Sequence, residues 1–263
     1  MMRARNRAIA LVCLAGALSA CIGTTGYELV DFHADAAGPA DARAGQPLEF
    51  VTDRGWHVVL TTAKLHIGAV YLDQSRPVSG SGNTPCIFPG TYVGQVTSAV
   101  DVDLLSPSPT PFAGTGEGTT LPAAVAQVWL THGDVNTTAD VQPILALEGT
   151  ADKAGDVRPF TAGITIGANR VPGSTASAGS NPICKQRIVA PVTANVILAQ
   201  GGTLHLTIDP RQLFVNVDFS SLAAASTGTG YAFKDDSSDQ PSTALYSALR
   251  STGSLYTFSW SAN

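Results

Sequence analysis

Apolar and polar residues alternate with a period of two along much of the chain from Pro47 onward. In the segment AKLHIGAVYL, residues 63–72, the apolar residues at odd positions share one face, whereas Lys64, His66 and Gly68 share the other. Successive side chains of a β-strand point to opposite faces, so this alternation predicts a strand with one buried face. Comparable alternation recurs in several short segments, which include LEFVT, HVVLTT, TYVGQVTSAVDVDLL, AAVAQVWL, PILALEGTA, FTAGITIG, RIVAPVTANVIL, TLHLTI and QLFVNVDF.

This pattern predicts an all-β fold. About ten short strands with turn-rich spacers are typical of an antiparallel β-sandwich or a partly open barrel. A parallel α/β fold is disfavoured, because no amphipathic helical stretch lies between the strands. One short helix is predicted near the C-terminus, within residues 237–253. Asp239 or Ser242 would cap its first turn, and Leu245 and Leu249 would face the core.

Two segments interrupt the alternation, and both are rich in small and turn-forming residues. Residues 106–120 contain proline, glycine and threonine, and residues 167–184 contain glycine, serine and alanine. Neither composition can bury much apolar surface. We therefore expect both segments to be exposed loops.

The first residues have the features of a secretion signal. Three arginines at positions 3, 5 and 7 precede the apolar run AIALVCLAGALSA, which is too short to span a bilayer. The run ends in LSAC, which resembles the bacterial lipobox and implies cleavage before Cys21 and lipidation of its thiol. We therefore predict a signal peptide at residues 1–20, a lipidated tether at 21–46 and a β-sandwich domain at 47–263. The segment YELVDF within the tether could instead form a first strand, which would shorten the tether.

The residue after the lipobox cysteine indicates whether a lipoprotein is sorted to the inner or the outer membrane. In bacterial lipoproteins an aspartate at this position implies retention in the inner membrane, whereas this chain has Ile22. The resemblance therefore implies an outer-membrane lipoprotein that faces the periplasm or the cell surface. Its first partner would be the membrane, through the lipid anchor.

Charge and motifs narrow the range of functions. Only 13% of the residues are charged, the net charge is −5, and no cluster of lysine and arginine follows the first seven residues. Nucleic acid is not an expected partner, because phosphate binding needs a basic face. The chain lacks the serine-hydrolase elbow, the zinc-protease helix motif, the Walker loop and the dinucleotide fingerprint. We predict that the protein is not an enzyme and that its role is binding.

Two cysteines remain in the predicted mature chain besides Cys21. Cys86 and Cys184 both follow proline-containing turns. In an oxidising compartment two such cysteines favour a disulfide, which would close a loop of roughly a hundred residues and stabilise the fold by about 4–5 kcal/mol. A soft-metal site and two free thiols are the alternatives.

The histidines are the best candidates for metal ligands. His57 and His66 are nine positions apart, so in one regular strand they would point to opposite faces. A strand of that length is unusual, and a break near residues 61–64 is expected. We therefore consider a site built from His66 and His132, with His57 as a third ligand. Imidazole suits copper or zinc.

Two other interpretations of the polar residues stay open. The histidines could all be surface or hydrogen-bonded residues. His205 points outward in mid-strand, and we expect it to be solvated. Pairs of residues with side-chain oxygens could also be calcium ligands. The same pairs fit the polar faces of strands and the starts of turns, where aspartate and asparagine are common. These pairs are Asp101 with Asp103, Asp134 with Asn136, and Asn216 with Asp218.

Three stretches together resemble the methanobactin-associated periplasmic copper-binding lipoproteins. They are WHVVLTTAKLHIGAVYL, LHLTIDPRQLF and ALYSALRSTGSLYTFSW, and they cover about a fifth of the chain. The resemblance implies an extracytoplasmic β-sandwich and makes copper the candidate ion, although no copper ligand or oxidised tryptophan of that family maps onto Trp56, Trp129 or Trp260. The alternative function is a surface interaction or adhesion module that recognises a protein or glycan through its glycine- and proline-rich loops.

The lipobox generates a direct prediction. Replacing the cysteine, Cys21→Ser, removes the only thiol at the predicted cleavage site, so the variant should lose both membrane retention and labelling by a radioactive lipid precursor. Fractionation and metabolic labelling of the native host measure both effects. A wild-type protein that remains unlabelled and soluble would contradict the prediction.

Overall fold

Two β-sheets enclose a large hydrophobic core in the computed structural model, which describes residues 27–75, 91–139, 142–171, 183–226 and 228–262. A second, small cluster consists of Val135, Cys184 and Ile188. The described chain contains sixteen strands and two α-helices. The strands are β1 (Leu29–Ala37), β2 (Leu48–Val51), β3 (His57–Ile67), β4 (Ala69–Asp73), β5 (Tyr92–Val96), β6 (Val100–Asp103), β7 (Thr110–Pro111), β8 (Gly116–Thr119), β9 (Pro122–Trp129), β10 (Leu145–Lys153), β11 (Asp156–Ile164), β12 (Ile188–Ile197), β13 (Thr203–Ile208), β14 (Ala223–Ala224), β15 (Tyr231–Ala232) and β16 (Tyr256–Ser261). The helices are α1 (Cys184–Arg187) and α2 (Gln240–Leu249), and short 3-10 turns occupy Ala168–Arg170, Pro210–Phe214 and Phe219–Ser221.

The larger sheet has nine strands and nearly closes into a barrel. Its order is β12-β9-β4-β5-β8-β1-β13-β16, with β7 also paired to β1, and the two end strands β12 and β16 lie side by side. The smaller sheet has seven strands in the order β14-β15-β11-β10-β3-β2, with β6 also paired to β3. The predicted all-β fold is confirmed. Two pairs, β1 with β13 and β11 with β15, are parallel, which the sequence pattern did not indicate.

Strand β1 corrects the predicted boundary of the tether. Residues 29–37 fall within the predicted tether, of which only YELVDF was considered as a first strand, and they form a strand inside the larger sheet, between β8 and β13. Val30, Phe32, Ala34 and Ala36 alternate inward and are buried. Two of these four residues are alanines, so the composition of the segment concealed its period of two.

The segment at residues 106–120 also differs from its prediction as one long loop. It contributes β7 and β8, and both strands pair with β1. Gly116 lies in β8 where an added Cβ would come within 2.4 Å of the Phe32 ring. Glycine is therefore needed for β8 to approach β1. Of the second predicted loop, residues 172–182 lie outside the described chain.

Strand β3 is continuous from His57 to Ile67, so the expected break is wrong. A β-bulge takes its place, because the register with β10 shifts between Glu148 and Gly149 and leaves Thr61 without a partner in that pairing. A bulge inserts one residue and reverses which positions face inward. Before the bulge the even positions 58 and 60 are buried, and after it the odd positions 63, 65 and 67 are buried.

The chain passes directly from the smaller sheet to the larger one at Gly68. Ile67 ends β3 and Ala69 begins β4, and the Gly68 amide donates a hydrogen bond to the Trp129 carbonyl over 2.8 Å. A Cβ at Gly68 would lie 2.2 Å from the Thr131 carbonyl oxygen, so only glycine fits at this crossing. The crossing holds the end of β3 against the end of β9.

Helix α2 forms where it was predicted. The Asp239 carboxylate accepts a hydrogen bond from the Ser242 amide over 2.9 Å, which caps the first turn. Leu245 and Leu249 are fully buried. The helix ends at Leu249, and the four-residue helix α1 was not predicted. No helix among the described residues combines the length and the apolar character needed to cross a membrane.

The cysteines give a partial outcome. Cys184 opens α1, is fully buried and is disulfide-bonded. Cys21 and Cys86 lie outside the described residues. The pairing of Cys86 with Cys184 therefore stays a prediction, as does lipidation of Cys21.

The crossing between the sheets can be tested by adding one methyl group. Because the Gly68→Ala side chain would overlap a backbone carbonyl, we expect it to lower the free energy of unfolding by about 1–3 kcal/mol or more. Gly163→Ala in β11 is the matched control, since no atom lies within 4 Å of its added Cβ. Chemical denaturation of the two variants measures the difference, and equal stabilities would contradict the proposed role of Gly68.

Candidate functional site

His66 and His132 meet where the two sheets join. Their imidazole rings stack with centroids 3.7 Å apart and planes inclined by 24°. His66 is the last residue but one of β3, and His132 lies three positions beyond the end of β9. The His66 amide donates to the Ile144 carbonyl over 2.8 Å, which ties the site to the chain that leads into β10.

The two nitrogens of His66 have different environments. Its Nδ1 lies 2.7 Å from Oδ1 of Asp101, the residue opposite it in β6. An ionised carboxylate only accepts hydrogen bonds, so Nδ1–H donates and the lone pair of the neutral ring lies on Nε2. Nε2 is buried and has no hydrogen-bond partner. A carboxylate behind one nitrogen and a lone pair on the other is typical of metal-binding histidines.

His132 is the exposed member of the pair. Its Nε2–H donates to the Pro143 carbonyl over 3.1 Å, because a carbonyl oxygen only accepts. A cavity of about 250 Å³ opens beside it, and Gly68, Tyr71 and Trp129 contribute to its lining. His132 is therefore the ring of the pair that a ligand in solvent can contact directly.

The stacked arrangement is not itself a chelate. The lone pair of an imidazole nitrogen lies in the ring plane, and two nearly parallel rings direct their lone pairs into separate planes. One ring has to turn before both nitrogens can bind a common ion. In the part of the chain that the structure describes, no group of three or more histidine, cysteine, aspartate or glutamate side chains is arranged to hold a metal.

His57 does not belong to this site. His57 lies at the other end of β3 from His66, and its Nε2 is 3.5 Å from a carboxylate oxygen of Glu49 in β2. The bulge places His57 and His66 on the same outer face of the sheet, contrary to the parity argument. Nine residues of strand nevertheless separate them by about 30 Å. His57 is therefore too far from His66 to bind the same ion, although both side chains lie on the same face of the sheet.

A buried polar chain lies close to the cavity. The Trp129 indole N–H donates to Gln127 over 3.2 Å, and the Gln127 amide donates to Asp73 over 2.9 Å. Asp73 is fully buried, and its second carboxylate oxygen has no partner. Burial raises the pKa of Asp73, and the hydrogen bond from Gln127 opposes this shift. These hydrogen bonds hold the Trp129 ring against Tyr71, with ring centroids 4.5 Å apart.

The oxygen pairs considered for calcium have ordinary structural roles. Asp103 accepts from the Leu105 amide, Asp134 from the Asn136 amide and Asp218 from the Ser220 amide, each two residues ahead. The Ser220 contacts lower the pKa of Asp218. These are turn and cap contacts, as the alternative interpretation proposed.

His205 is the site residue that the sequence interpretation missed. It was expected to be solvated, yet both ring nitrogens are within hydrogen-bond distance of side chains. Nδ1 lies 2.9 Å from Oδ1 of Asp35, and Nε2 lies 2.8 Å from Oγ of Ser261. No sequence signal joins these residues, because Asp35 and His205 are 170 positions apart.

A second concave surface lies on the larger sheet. A groove of about 490 Å³ runs across β1, β5 and β8. Leu29 and Tyr92 expose 81% and 49% of their surface there, beside the polar residues Asp31, Gln95 and Glu117. The Gln95 amide donates to the Glu117 carboxylate over 2.6 Å.

Comparisons with known proteins add little to this geometry. No protein-family model matches the chain, and no curated protein matches its sequence. Among solved structures, the chain is similar to "MbnP from Methylosinus trichosporium", with 11% sequence identity and a TM-score of 0.40. The match covers 90% of this chain and 100% of that one.

Proposed function

We propose that this protein is an outer-membrane lipoprotein, anchored through Cys21, whose role is the non-catalytic binding of a copper ion by His66 and His132. The observation that carries the proposal is the buried Nε2 of His66, which has no partner although Asp101 holds the other nitrogen. Leaving a buried polar atom unpaired costs about 1–3 kcal/mol. A bound ion would remove that cost.

The chemistry of the donors supports copper over other ions. Imidazole binds copper, zinc, iron and nickel, and among divalent first-row ions copper forms the most stable complexes with a given nitrogen site. Calcium and magnesium prefer oxygen donors, whereas this site offers imidazole nitrogens and its nearest carboxylate, Asp101, already contacts His66. Two imidazoles leave other coordination positions to water or to a ligand supplied by a partner.

Each residue of the site has a distinct task in this proposal. His66 presents Nε2 from a rigid strand, and Asp101 fixes its tautomer, which makes Asp101 a positioning residue. His132 lies on the exposed side and would turn its ring, exchanging the contact with Pro143 for the ion. The rigid and the adjustable histidine together would allow an ion to enter and leave.

Copper titration of purified protein tests the site. We expect His66→Ala and His132→Ala each to lower Cu(II) affinity at least about tenfold, because each removes one of two ligands. Asp101→Asn should weaken binding about 10–100-fold, the usual effect of losing a partner behind a ligand. A competition assay with a chromophoric chelator gives the affinities.

Two histidines serve as matched controls. His57→Ala and His205→Ala remove imidazoles from elsewhere in the fold and should leave Cu(II) affinity unchanged. Equal affinities in all four histidine variants would contradict the proposed site. Elemental analysis of protein isolated from its own host would show which ion it carries.

The groove on the larger sheet favours a second function, which is recognition of a glycan by a surface adhesion module. An exposed tyrosine ring can pack against a sugar face, and the carboxylates of Asp31 and Glu117 can accept hydrogen bonds from sugar hydroxyls. Tyr92→Ala should then lower oligosaccharide binding at least about tenfold on a glycan array, while His66→Ala should not. Absence of glycan binding by the wild-type protein would remove this candidate.

A further inference from the structure

Three polar side chains form a continuous row across adjacent strands of the larger sheet. Asp35 in β1 stands directly beside His205 in β13, and Ser261 lies in the neighbouring strand β16. The Asp35 carboxylate is 2.9 Å from Nδ1 of His205, and Nε2 of the same ring is 2.8 Å from the Ser261 hydroxyl. The three groups are therefore connected through one imidazole.

The protons in this row can be assigned from the chemistry of the donors. The ionised carboxylate of Asp35 only accepts, so Nδ1 of His205 carries the ring proton. In the neutral imidazole Nε2 is then an acceptor, and the Ser261 hydroxyl donates to it. This is the tautomer that allows a histidine to remove a proton from a serine.

The solvent exposure of the side chains increases from Asp35 through His205 to Ser261. The Asp35 side chain is 16% exposed and that of His205 is 34% exposed, whereas Ser261 is exposed on the surface. A shielded carboxylate orients the ring, and the hydroxyl at the other end is open to solvent. His66 provides an internal comparison, because it has the same carboxylate contact but no hydroxyl on its Nε2.

We propose that Asp35, His205 and Ser261 form a serine acyl-transfer site that is separate from the His66–His132 pair. Ser261 Oγ attacks the carbonyl carbon of an ester and forms a C–O bond, while its proton moves to Nε2 of His205. The ester C–O bond then breaks, and the leaving alcohol takes that proton. Water, activated by the same imidazole, hydrolyses the acyl-serine and regenerates the hydroxyl.

The surroundings of Ser261 define the class of substrate. Ser261 is exposed on the outer face of the sheet, so the acyl group is reached from solvent without passing through a deep channel. Thr203 stands directly opposite Ser261 in the ladder and supplies a hydroxyl on the same face. A single hydroxyl stabilises an oxyanion modestly. The site therefore fits small carboxylic esters with good leaving groups rather than amides.

A fluorophosphonate probe tests the nucleophile directly. Reaction forms an Oγ–P bond and breaks the P–F bond, and the serine proton leaves through His205 as fluoride departs. We expect mass spectrometry to locate the adduct on Ser261. Ser261→Ala should abolish labelling, and His205→Gln and Asp35→Asn should each slow it at least about tenfold, because they remove the base and its orienting carboxylate.

Ser259→Ala is the matched control. Ser259 is exposed on the same strand and lies directly opposite His205 in the ladder, yet its hydroxyl makes no contact with that ring among the hydrogen bonds of the described residues. Its variant should label at the wild-type rate.

The outcome is independent of the metal-binding proposal. Labelling should persist in the presence of a chelator and in His66→Ala, so loss of copper binding and loss of acylation are separate results. Thermal melting of each variant identifies any that fails to fold, and Ser261→Thr retains a hydroxyl where Ser261→Ala does not. An unlabelled Ser261 in the folded wild-type protein, or labelling that His205→Gln leaves unchanged, would overturn the proposal.

Discussion

The close approach of two backbone segments at Gly68 is the constraint on which the rest of this structure depends. The chain leaves the smaller sheet at Ile67 and enters the larger one at Ala69, so a single residue joins the two layers. A side chain at this point would collide with the Thr131 carbonyl. The contact fixes the end of β3 against the end of β9, and with it the positions of His66 and His132. It also allows one core to fill the space between the layers.

The β-bulge in β3 is the second backbone feature that decides where chemistry lies. A regular strand would direct either His57 or His66 into the core, where an unpaired imidazole would be unfavourable. The bulge lets the apolar residues on both sides of Thr61 face inward and leaves both histidines outside. Gly149 lets β10 stay close to β3 at the bulge, because an added Cβ there would lie 2.6 Å from the Val59 carbonyl oxygen.

Two histidines of similar local structure acquire different chemistry from their surroundings. His66 and His205 both face a carboxylate in the neighbouring strand, and in both the proton lies on Nδ1. The His132 ring stacks on His66, whose Nε2 is buried and unpartnered, which suits a metal ligand. His205 lies on an exposed face beside a hydroxyl, which suits proton transfer. The difference arises from what covers each strand rather than from the residues themselves.

The sequence alone determined the local features of this protein. Alternation of apolar residues identified most strands, and the residue pattern around Asp239 located the capped helix, because both depend on contacts between near neighbours in the chain. The sequence also identified His66 and His132 as a candidate pair from their residue type and position near strand ends. Tertiary structure decided the parallel pairing of β1, the bulge in β3 and the row of Asp35, His205 and Ser261. These features depend on register between segments as far as 170 residues apart, and a hydrogen bond forms only when that register is right to within a fraction of a residue.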